Sequence, residues 1–362
     1  MSGRALLRAG ALAAVMALAG CASTDPRVLH FGVEDAPEGK RILWPQPPEV
    51  PRYMYAGMLL GEQNFRTAGD VARSRTSRFF RWLVGLEGRE DPVVLQRPSS
   101  GAVDAAGRIL VTDTSRGAVF VFDPAAGELK VWESAEGVRR FRAPAGIAAT
   151  AQGVLVADAD LGIVARLDAK GTPIGAVGRG ALKRPTGVTV DPDSGRIYVA
   201  DTYAHDIKVF DADGVLLATL GRRGEGEGEF NYPTHLAFAD GELYVTDTMN
   251  NRVQVLDSRS GRMLRVFGQR GLYIGNLVRP KGIALDSERN LYVIESYYDH
   301  LLVFNRKGEF LMGFGGVGLN SGRFYLPAGV WTDPLNRVFV ADMFNGRVAV
   351  FQFLGGGADG EQ

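Results

Sequence analysis

The sequence predicts an all-β fold, a six-bladed β-propeller with four antiparallel strands in each blade. The first observation is an internal repeat: a proline, followed by alternating small and apolar residues, recurs six times at spacings of 41 to 48 residues. The second is the content of each unit, which holds four short β-type runs separated by Gly, Asp and Asn turns. One four-stranded sheet cannot bury both of its faces, whereas six sheets arranged in a ring can. The blades are therefore expected to begin at Pro98, Pro144, Pro185, Pro233, Pro280 and Pro327.

Composition excludes several classes of protein. The chain has 362 residues, 41 basic and 41 acidic groups, and one cysteine. A single cysteine excludes a disulfide scaffold and any cysteine-cluster zinc or iron–sulfur site. Zero net charge with 46% hydrophobic residues argues against a disordered chain and against a protein that mainly binds nucleic acid.

The first twenty residues have the features of an export signal. Arg4 and Arg8 precede an apolar stretch over 9–19, and these eleven residues are too few to span a bilayer, which needs roughly 20. The ending Leu18-Ala-Gly-Cys21 resembles the lipobox of bacterial lipoproteins. The resemblance implies cleavage before Cys21, lipidation of Cys21 and, since Ala22 follows, the outer rather than the inner membrane, on its periplasmic side or at the surface. The alternative is a structural cysteine behind an ordinary signal.

The segments that flank the repeats are expected to have different roles. Residues 21–51 contain six prolines and no sustained periodicity, which predicts a semi-rigid tether. The last repeat ends at 353 without a fourth strand, and 52–61 has the form of that strand, so we expect 52–61 to close the ring of a propeller over 52–353. Residues 354–362 are expected to be a flexible tail.

The six repeats, over 52–61 and 98–353, carry a family resemblance. The run Asp247-Thr-Met-Asn-Asn-Arg-Val-Gln-Val255 resembles the core of the NHL repeat, as do Asp299-His-Leu301 and the Gly-rich 224–230. With the lipobox, the chain resembles bacterial NHL-repeat lipoproteins. The resemblance implies a binding platform, although a few relatives are enzymes that need a metal in the channel.

Candidate ligand-binding residues lie where the first strand of a blade begins. Four repeats have Gly two residues after the anchor proline, whereas Ser100 and His235 occupy this position in opposite blades. His235 is expected near the channel mouth, either contacting a ligand or hydrogen-bonded to a neighbouring loop.

Basic residues beside the anchor prolines are the second candidate set. Arg97, Arg184 and Arg279 precede the proline in alternate blades, and Lys281 follows one. They form either a positive rim for a carboxylate or phosphate, or solvated surface charge.

Six acids that end the second strands are predicted to be structural rather than metal ligands. An acid present in every blade is more simply explained by carboxylates that accept backbone N–H bonds at a strand–turn junction. A divalent metal, calcium or zinc, stays possible, but the sequence shows no confident ligand set. His205, His235 and His300 are too loosely placed to form a zinc triad. The acids are Asp113, Asp158, Asp201, Asp247, Glu295 and Asp342.

The only element outside the repeats is a basic insertion over 62–97. A short amphipathic helix is plausible there, serving as a lid or as an arm that binds a partner or a membrane surface, or else covering the closure seam. The arm residues are Arg73, Arg75, Arg78, Arg81 and Trp82.

These observations favour a lipid-anchored, extracytoplasmic NHL-repeat propeller that binds a protein or a ligand in the cell envelope. We expect a monomer with envelope proteins as partners and no nucleic acid. The alternative is a metal-dependent lyase or lactonase-like enzyme that uses the top face of the channel, although the sequence shows no nucleophile–base pair.

Overall fold

Six β-sheets surround a central channel in the computed structural model, which describes residues 26–32, 41–67 and 92–355. The prediction of a six-bladed, all-β propeller is confirmed. In the first five blades the four strands follow one another in sequence, each antiparallel to the next, and the first strand is the inner edge. The twenty strands are β5 (Pro98–Val103), β6 (Ile109–Asp113), β7 (Ala118–Asp123) and β8 (Glu128–Trp132) in blade 1; β11 (Pro144–Thr150), β12 (Gly153–Asp158), β13 (Ile163–Leu167) and β14 (Pro173–Val177) in blade 2; β15 (Pro185–Val190), β16 (Ile197–Asp201), β17 (Asp206–Phe210) and β18 (Leu216–Leu220) in blade 3; β19 (Pro233–Ala239), β20 (Glu242–Asp247), β21 (Arg252–Asp257) and β22 (Met263–Phe267) in blade 4; and β23 (Pro280–Leu285), β24 (Leu291–Glu295), β25 (His300–Phe304) and β26 (Phe310–Gly315) in blade 5.

Blade 6 is built from both ends of the described chain. Its strands, from the channel outward, are β27 (Val330–Thr332), β28 (Arg337–Asp342), β29 (Arg347–Phe353), β3 (Tyr53–Leu59) and β2 (Leu43–Trp44). β3 pairs antiparallel with β29 from Val348 opposite Leu59 to Phe353 opposite Tyr53. The predicted closure of the ring by an N-terminal strand is confirmed.

Burial within a blade follows from its place between two neighbours. Every residue of β16 is buried because blades 2 and 4 cover its two faces, whereas β18 at the outer edge is mostly exposed. Adjacent blades share a hydrophobic cluster, and there are six such clusters among the described residues. Each fully buried large apolar side chain contributes about 1.5–3 kcal/mol, so the ring gains its stability from contacts between blades.

Part of the expected tether packs against the propeller. Leu43–Trp44 adds a fifth strand to blade 6, and the indole of Trp44 stacks on Phe314 with a ring separation of 5.0 Å. β1 (Val28–Leu29) pairs with β4 (Phe65–Arg66) beside blade 1. These segments differ from a free tether because their apolar residues complete the faces of blades 5, 6 and 1. The remaining residues of the expected tether, 21–25 and 33–40, lie outside the described residues.

A short 3₁₀ turn at Glu62–Asn64 fixes this N-terminal segment. The buried side chain of Asn64 accepts hydrogen bonds from Leu60 N and Gly61 N, and it donates to the carbonyl oxygens of His30 and Met58. One amide therefore joins the closing strand to the segment before it.

The other two 3₁₀ turns are Thr248–Asn250 and Met343–Asn345, and a small hairpin of β9 (Ser134–Glu136) and β10 (Arg139–Arg140) follows blade 1.

Several predicted features lie outside the described residues. These are the signal over 1–20, Cys21, most of the 62–97 insertion with its predicted helix, and most of the tail. Within the described ranges, no helix is both long enough and apolar enough to cross a membrane.

We expect Trp44→Ala to lower the free energy of unfolding by about 2 kcal/mol, below the 3–5 kcal/mol typical of a fully buried Trp because Trp44 is half-buried. Trp44→Phe, which keeps an aromatic face on Phe314, is expected to retain most of that stability. Urea denaturation followed by circular dichroism measures both. Val50→Ala, at an exposed position, is the control. An unfolding midpoint for Trp44→Ala equal to wild type would mean that this segment does not stabilise the ring.

Candidate functional site

The top face is the side of the ring formed by the starts of the first strands, the ends of the second strands and the connections between blades. Strand pairing determines this arrangement, since Pro98 lies opposite Asp113 and Pro185 lies opposite Asp201. Short loops held by a rigid scaffold are the usual place for binding residues. Binding residues of the described chain are therefore expected on this face.

The acid that ends each second strand is a structural hub, as predicted. Asp113 is fully buried, and its carboxylate accepts hydrogen bonds from the backbone N–H groups of Gln96, Arg97, Ser115 and Arg116 at 2.6–3.0 Å. Each of the other five likewise accepts a backbone N–H from the segment that precedes the anchor proline. These carboxylates join the second strand to the start of the first, which leaves them little capacity for a metal ion.

The three predicted arginines each lie over an aromatic ring. The guanidinium carbon is 5.0 Å from the ring centre of Phe344 for Arg97, 5.1 Å from that of Tyr203 for Arg184, and 5.9 Å from that of Tyr297 for Arg279. Arg184 also donates to Asp160 at 2.7 Å. Within the described part of the chain, Arg97 and Arg279 form no ion pair with a carboxylate. The arginines therefore occupy alternate blades, each with its own ring.

These rings belong to a set of residues that the sequence analysis missed. Two residues after the second-strand acid, blades 3 to 6 carry a large apolar side chain, whereas blades 1 and 2 carry Ser115 and Asp160 at the same position. All four are exposed, from 46% for Phe344 to 56% for Tyr203. Aligning the repeats on the acid would have found them. We call them the apolar arc: Tyr203, Met249, Tyr297 and Phe344.

A groove of about 500 Å³ opens on the top face between blades 4 and 5. Met249 and Tyr297 of the apolar arc line it, together with Arg279 and Leu272. Leu272 and the neighbouring Tyr273 are each 84% exposed. The groove thus combines apolar side chains with a cation, which suits a protein segment that presents both apolar and acidic groups.

His235 and Ser100 both line the central channel. The backbone of His235 is held by Thr246, whose hydroxyl accepts from its N–H at 3.0 Å and donates to its carbonyl oxygen at 3.2 Å. Burial, and secondarily the charge of Lys281, lower the pKa of His235 to about 3, so its imidazole is neutral. Burial, followed by the charge of Arg279, also lowers the pKa of Lys281.

The three histidines do not come together. His205 is buried in a top-face turn, where its Nδ1 accepts from Tyr232 N at 3.2 Å and its ring contacts that of Tyr232. His300 borders a cavity beside Trp44 at the outside of blade 5. No group of three His, Cys, Asp or Glu side chains in the described ranges is arranged to hold a metal ion. The enzymatic alternative therefore has no ligand set in this part of the chain.

The ends of the basic insertion are anchored beside blade 1. Glu62 N donates to Val93 O at 2.9 Å, and Leu95 is buried between blades 6 and 1. Arg73, Arg75, Arg78, Arg81 and Trp82 lie outside the described residues, so the proposed arm stays a prediction.

Comparison with known proteins identifies the repeat. Residues 182–210 and 230–256 match the family model of the NHL repeat, and they cover the first three strands of blades 3 and 4. Blades 3 and 4 are therefore similar to the NHL repeat.

Curated relatives match only part of the chain, and the chain covers only a small part of each. Protein brain tumor of Drosophila melanogaster is 27% identical over 128 residues, which cover 35% of this chain and 12% of that protein. Human NHL repeat-containing protein 2 is 39% identical over 87 residues, which cover 21% of this chain and 12% of that protein. A Bacteroides thetaiotaomicron protein of unknown function has a solved structure with a TM-score of 0.56, 14% identity, and coverage of 71% of this chain and 70% of that chain. This likeness shows the shared fold.

We expect Asp113→Ala to destabilise the protein by about 3 kcal/mol, because four backbone N–H groups lose a charged acceptor at once. Asp113→Asn, which keeps one acceptor oxygen, is expected to have a smaller effect. Exposed Asp193→Ala is the control and should change stability by less than about 0.5 kcal/mol. Two results together would indicate that the acids are metal ligands instead. They are a lower unfolding midpoint of the wild type in EDTA and an unchanged midpoint for Asp113→Ala.

Proposed function

We propose that this protein is a non-catalytic binding platform of the bacterial cell envelope, anchored to the outer membrane by lipids on Cys21. An NHL-repeat propeller fits a protein-binding platform in general. The finer proposal is that blades 3 to 6 recruit an envelope protein through the top face.

The observation that carries this proposal is the apolar arc. Its four exposed side chains lie on consecutive blades, although the same position is polar in blades 1 and 2. Single exposed apolar residues are ordinary, but a contiguous set on one side of a ring is characteristic of an interaction surface. Tyr and Arg are also the residues most often found at the energetic centres of protein interfaces.

Charge indicates which kind of partner fits this surface. Arg97 and Arg279 are exposed, stack on rings of the arc and have no carboxylate partner in the described part of the chain. A partner that supplies Asp or Glu next to an apolar side chain would satisfy both features at the groove between blades 4 and 5. We therefore propose an acidic, apolar segment as the occupant.

The N-terminal region supports the membrane part of the proposal. The lipobox-like Leu18-Ala-Gly-Cys21 supports lipid attachment, and several acyl chains on one cysteine suffice for stable anchoring. Ala22 stands where lipoproteins of the inner membrane often carry Asp, which favours the outer membrane. The predicted basic arm within 62–97 is joined to the ring at Leu95, beside blade 1, and we propose that it enlarges the same surface. The protein is proposed to act as a monomer.

We expect Tyr297→Ala and Arg279→Glu each to weaken partner binding by about tenfold or more, because they remove an apolar contact and a cation from the groove. Partners are captured by crosslinking in intact cells and identified by mass spectrometry, and the purified pair is then titrated. Leu335→Ala is the matched control, since Leu335 is 66% exposed in a turn on the opposite face. Replacement of 68–91 by a Gly-Ser linker tests the arm and keeps the buried Leu95. Equal affinity for all variants would contradict a top-face partner site.

We expect Cys21→Ala to release the protein into the soluble fraction of the envelope, because the acyl chains then have no attachment point. Ser23→Ala, which keeps the cysteine, is expected to stay with the membrane. Fractionation with a carbonate wash and immunoblotting measures both. Membrane pelleting of Cys21→Ala after the wash would exclude lipid attachment at this residue.

A further inference from the structure

Arg166 occupies a position that is apolar in every other blade. It lies in the third strand of blade 2, three residues after Ile163, which pairs with the second-strand acid Asp158. At the same position the other five blades have a valine that is at most 3% exposed and belongs to the cluster shared with the following blade. These valines are Val121, Val209, Val255, Val303 and Val350. Where the repeat leads us to expect an apolar contact with blade 3, the chain has a guanidinium.

A pocket of about 300 Å³ opens beside Arg166, between blades 2 and 3. It lies on the face opposite the apolar arc, because residues 150–153 and 212–213 at its mouth belong to the turns after a first and a third strand. Its volume is at the lower end of the range for small-molecule sites. Apart from Arg166 its wall is mostly apolar, with Val154, Leu155, Leu167, Ile174, Val190 and Ile197 in the lining.

The guanidinium of Arg166 has no partner in the part of the chain that the structure describes. It forms no hydrogen bond or ion pair and lies over no aromatic ring there. Nη2 is buried against blade 3, since a Cβ built on Gly214 would lie 3.2 Å from it. Nε and Nη1 are accessible, and the half-buried side chain lines the pocket. The group is therefore held in place by blade 3 and keeps donors for an occupant of the pocket.

The charge of the pocket fits an occupant with a single negative charge. Arg166 is the one cation among the described residues of the lining. The one acid of that lining, Asp213, is exposed at the mouth and forms no ion pair with Arg166. A partly buried cation without a counter-ion is stabilised when a carboxylate pairs with it, and such charge-assisted hydrogen bonds are the strong ones.

We propose that this pocket binds a medium-chain alkyl carboxylate, whose head group pairs with the guanidinium of Arg166 and whose chain lies along the apolar wall. A bare inorganic anion would leave the apolar wall unfilled, and an uncharged chain would leave the guanidinium unpaired. The pocket lies away from the apolar arc and does not rest on the proposed partner. It goes beyond a protein platform because it adds a small-molecule ligand.

The repeat supplies the variant that tests the cation. Arg166→Val installs the residue of the other five blades, so the protein is expected to fold, as circular dichroism and gel filtration can verify. Arg166→Met is a second variant that keeps a long aliphatic side chain without the charge. Lys170→Ala is the charge control, because Lys170 is exposed in the turn after the same strand and does not line the pocket.

Calorimetric titration with hexanoate and octanoate tests both parts of the site. We expect octanoate to bind the wild type with a Kd of about 1 mM or lower. Octanoate should bind about tenfold more tightly than hexanoate, because two more CH₂ groups are buried. Arg166→Val and Arg166→Met should each weaken octanoate binding about tenfold or more, whereas Lys170→Ala should not change it. The uncharged 1-octanol should bind more weakly than octanoate.

Four results would overturn the proposal. The first is no binding of octanoate to the wild type up to about 10 mM. The second is equal binding of octanoate by the wild type and both Arg166 variants. The third is equal binding of 1-octanol and octanoate, which would show that the guanidinium does not contribute. The fourth is tighter binding of octyl phosphate than of octanoate, which would assign the pocket to a different head group. None of these results bears on partner capture by the top face.

Discussion

The structure depends on the pairing of Tyr53–Leu59 with Arg347–Phe353, which joins the two ends of the described chain within blade 6. A propeller blade is stable only between two neighbours, so an incomplete last blade would expose both adjacent interfaces. The closing strand supplies Tyr53 and Tyr55 to the cluster shared with blade 5, and Leu59 to the cluster shared with blade 1. Since every blade packs against the next, closure stabilises the whole ring and aligns the six first strands around one channel.

Repetition explains most of the unusual residues and thereby isolates the few that it does not explain. The second-strand acids form a conspicuous ring in the sequence, yet hydrogen bonds to backbone N–H groups account for them in each blade. Functional candidates are instead the positions where one blade differs from the others. Arg166 replaces valine, and the apolar arc is confined to blades 3 to 6. Such departures are the positions that we propose for contacts with another molecule.

The segment that begins blade 5 reaches both the top-face groove and the channel. Arg279 lines the groove, Pro280 begins the first strand of blade 5, and Ile283 of that strand lines the channel. The groove is exposed and large enough for a protein segment, whereas the channel is narrow and lined by backbone.

The sequence alone determined the blade number, the strand order and the closure, because these follow from local turn chemistry and period-2 alternation repeated six times. It also predicted the structural role of the second-strand acids. The tertiary structure decided which polar atoms lack partners within the described ranges, such as the nitrogens of His235 and of the Trp331 indole, because this depends on packing between blades that no local pattern encodes. It likewise decided that Trp44 packs on Phe314 instead of belonging to a free tether. Such contacts join residues far apart in the chain, and their energies arise only once the ring has closed.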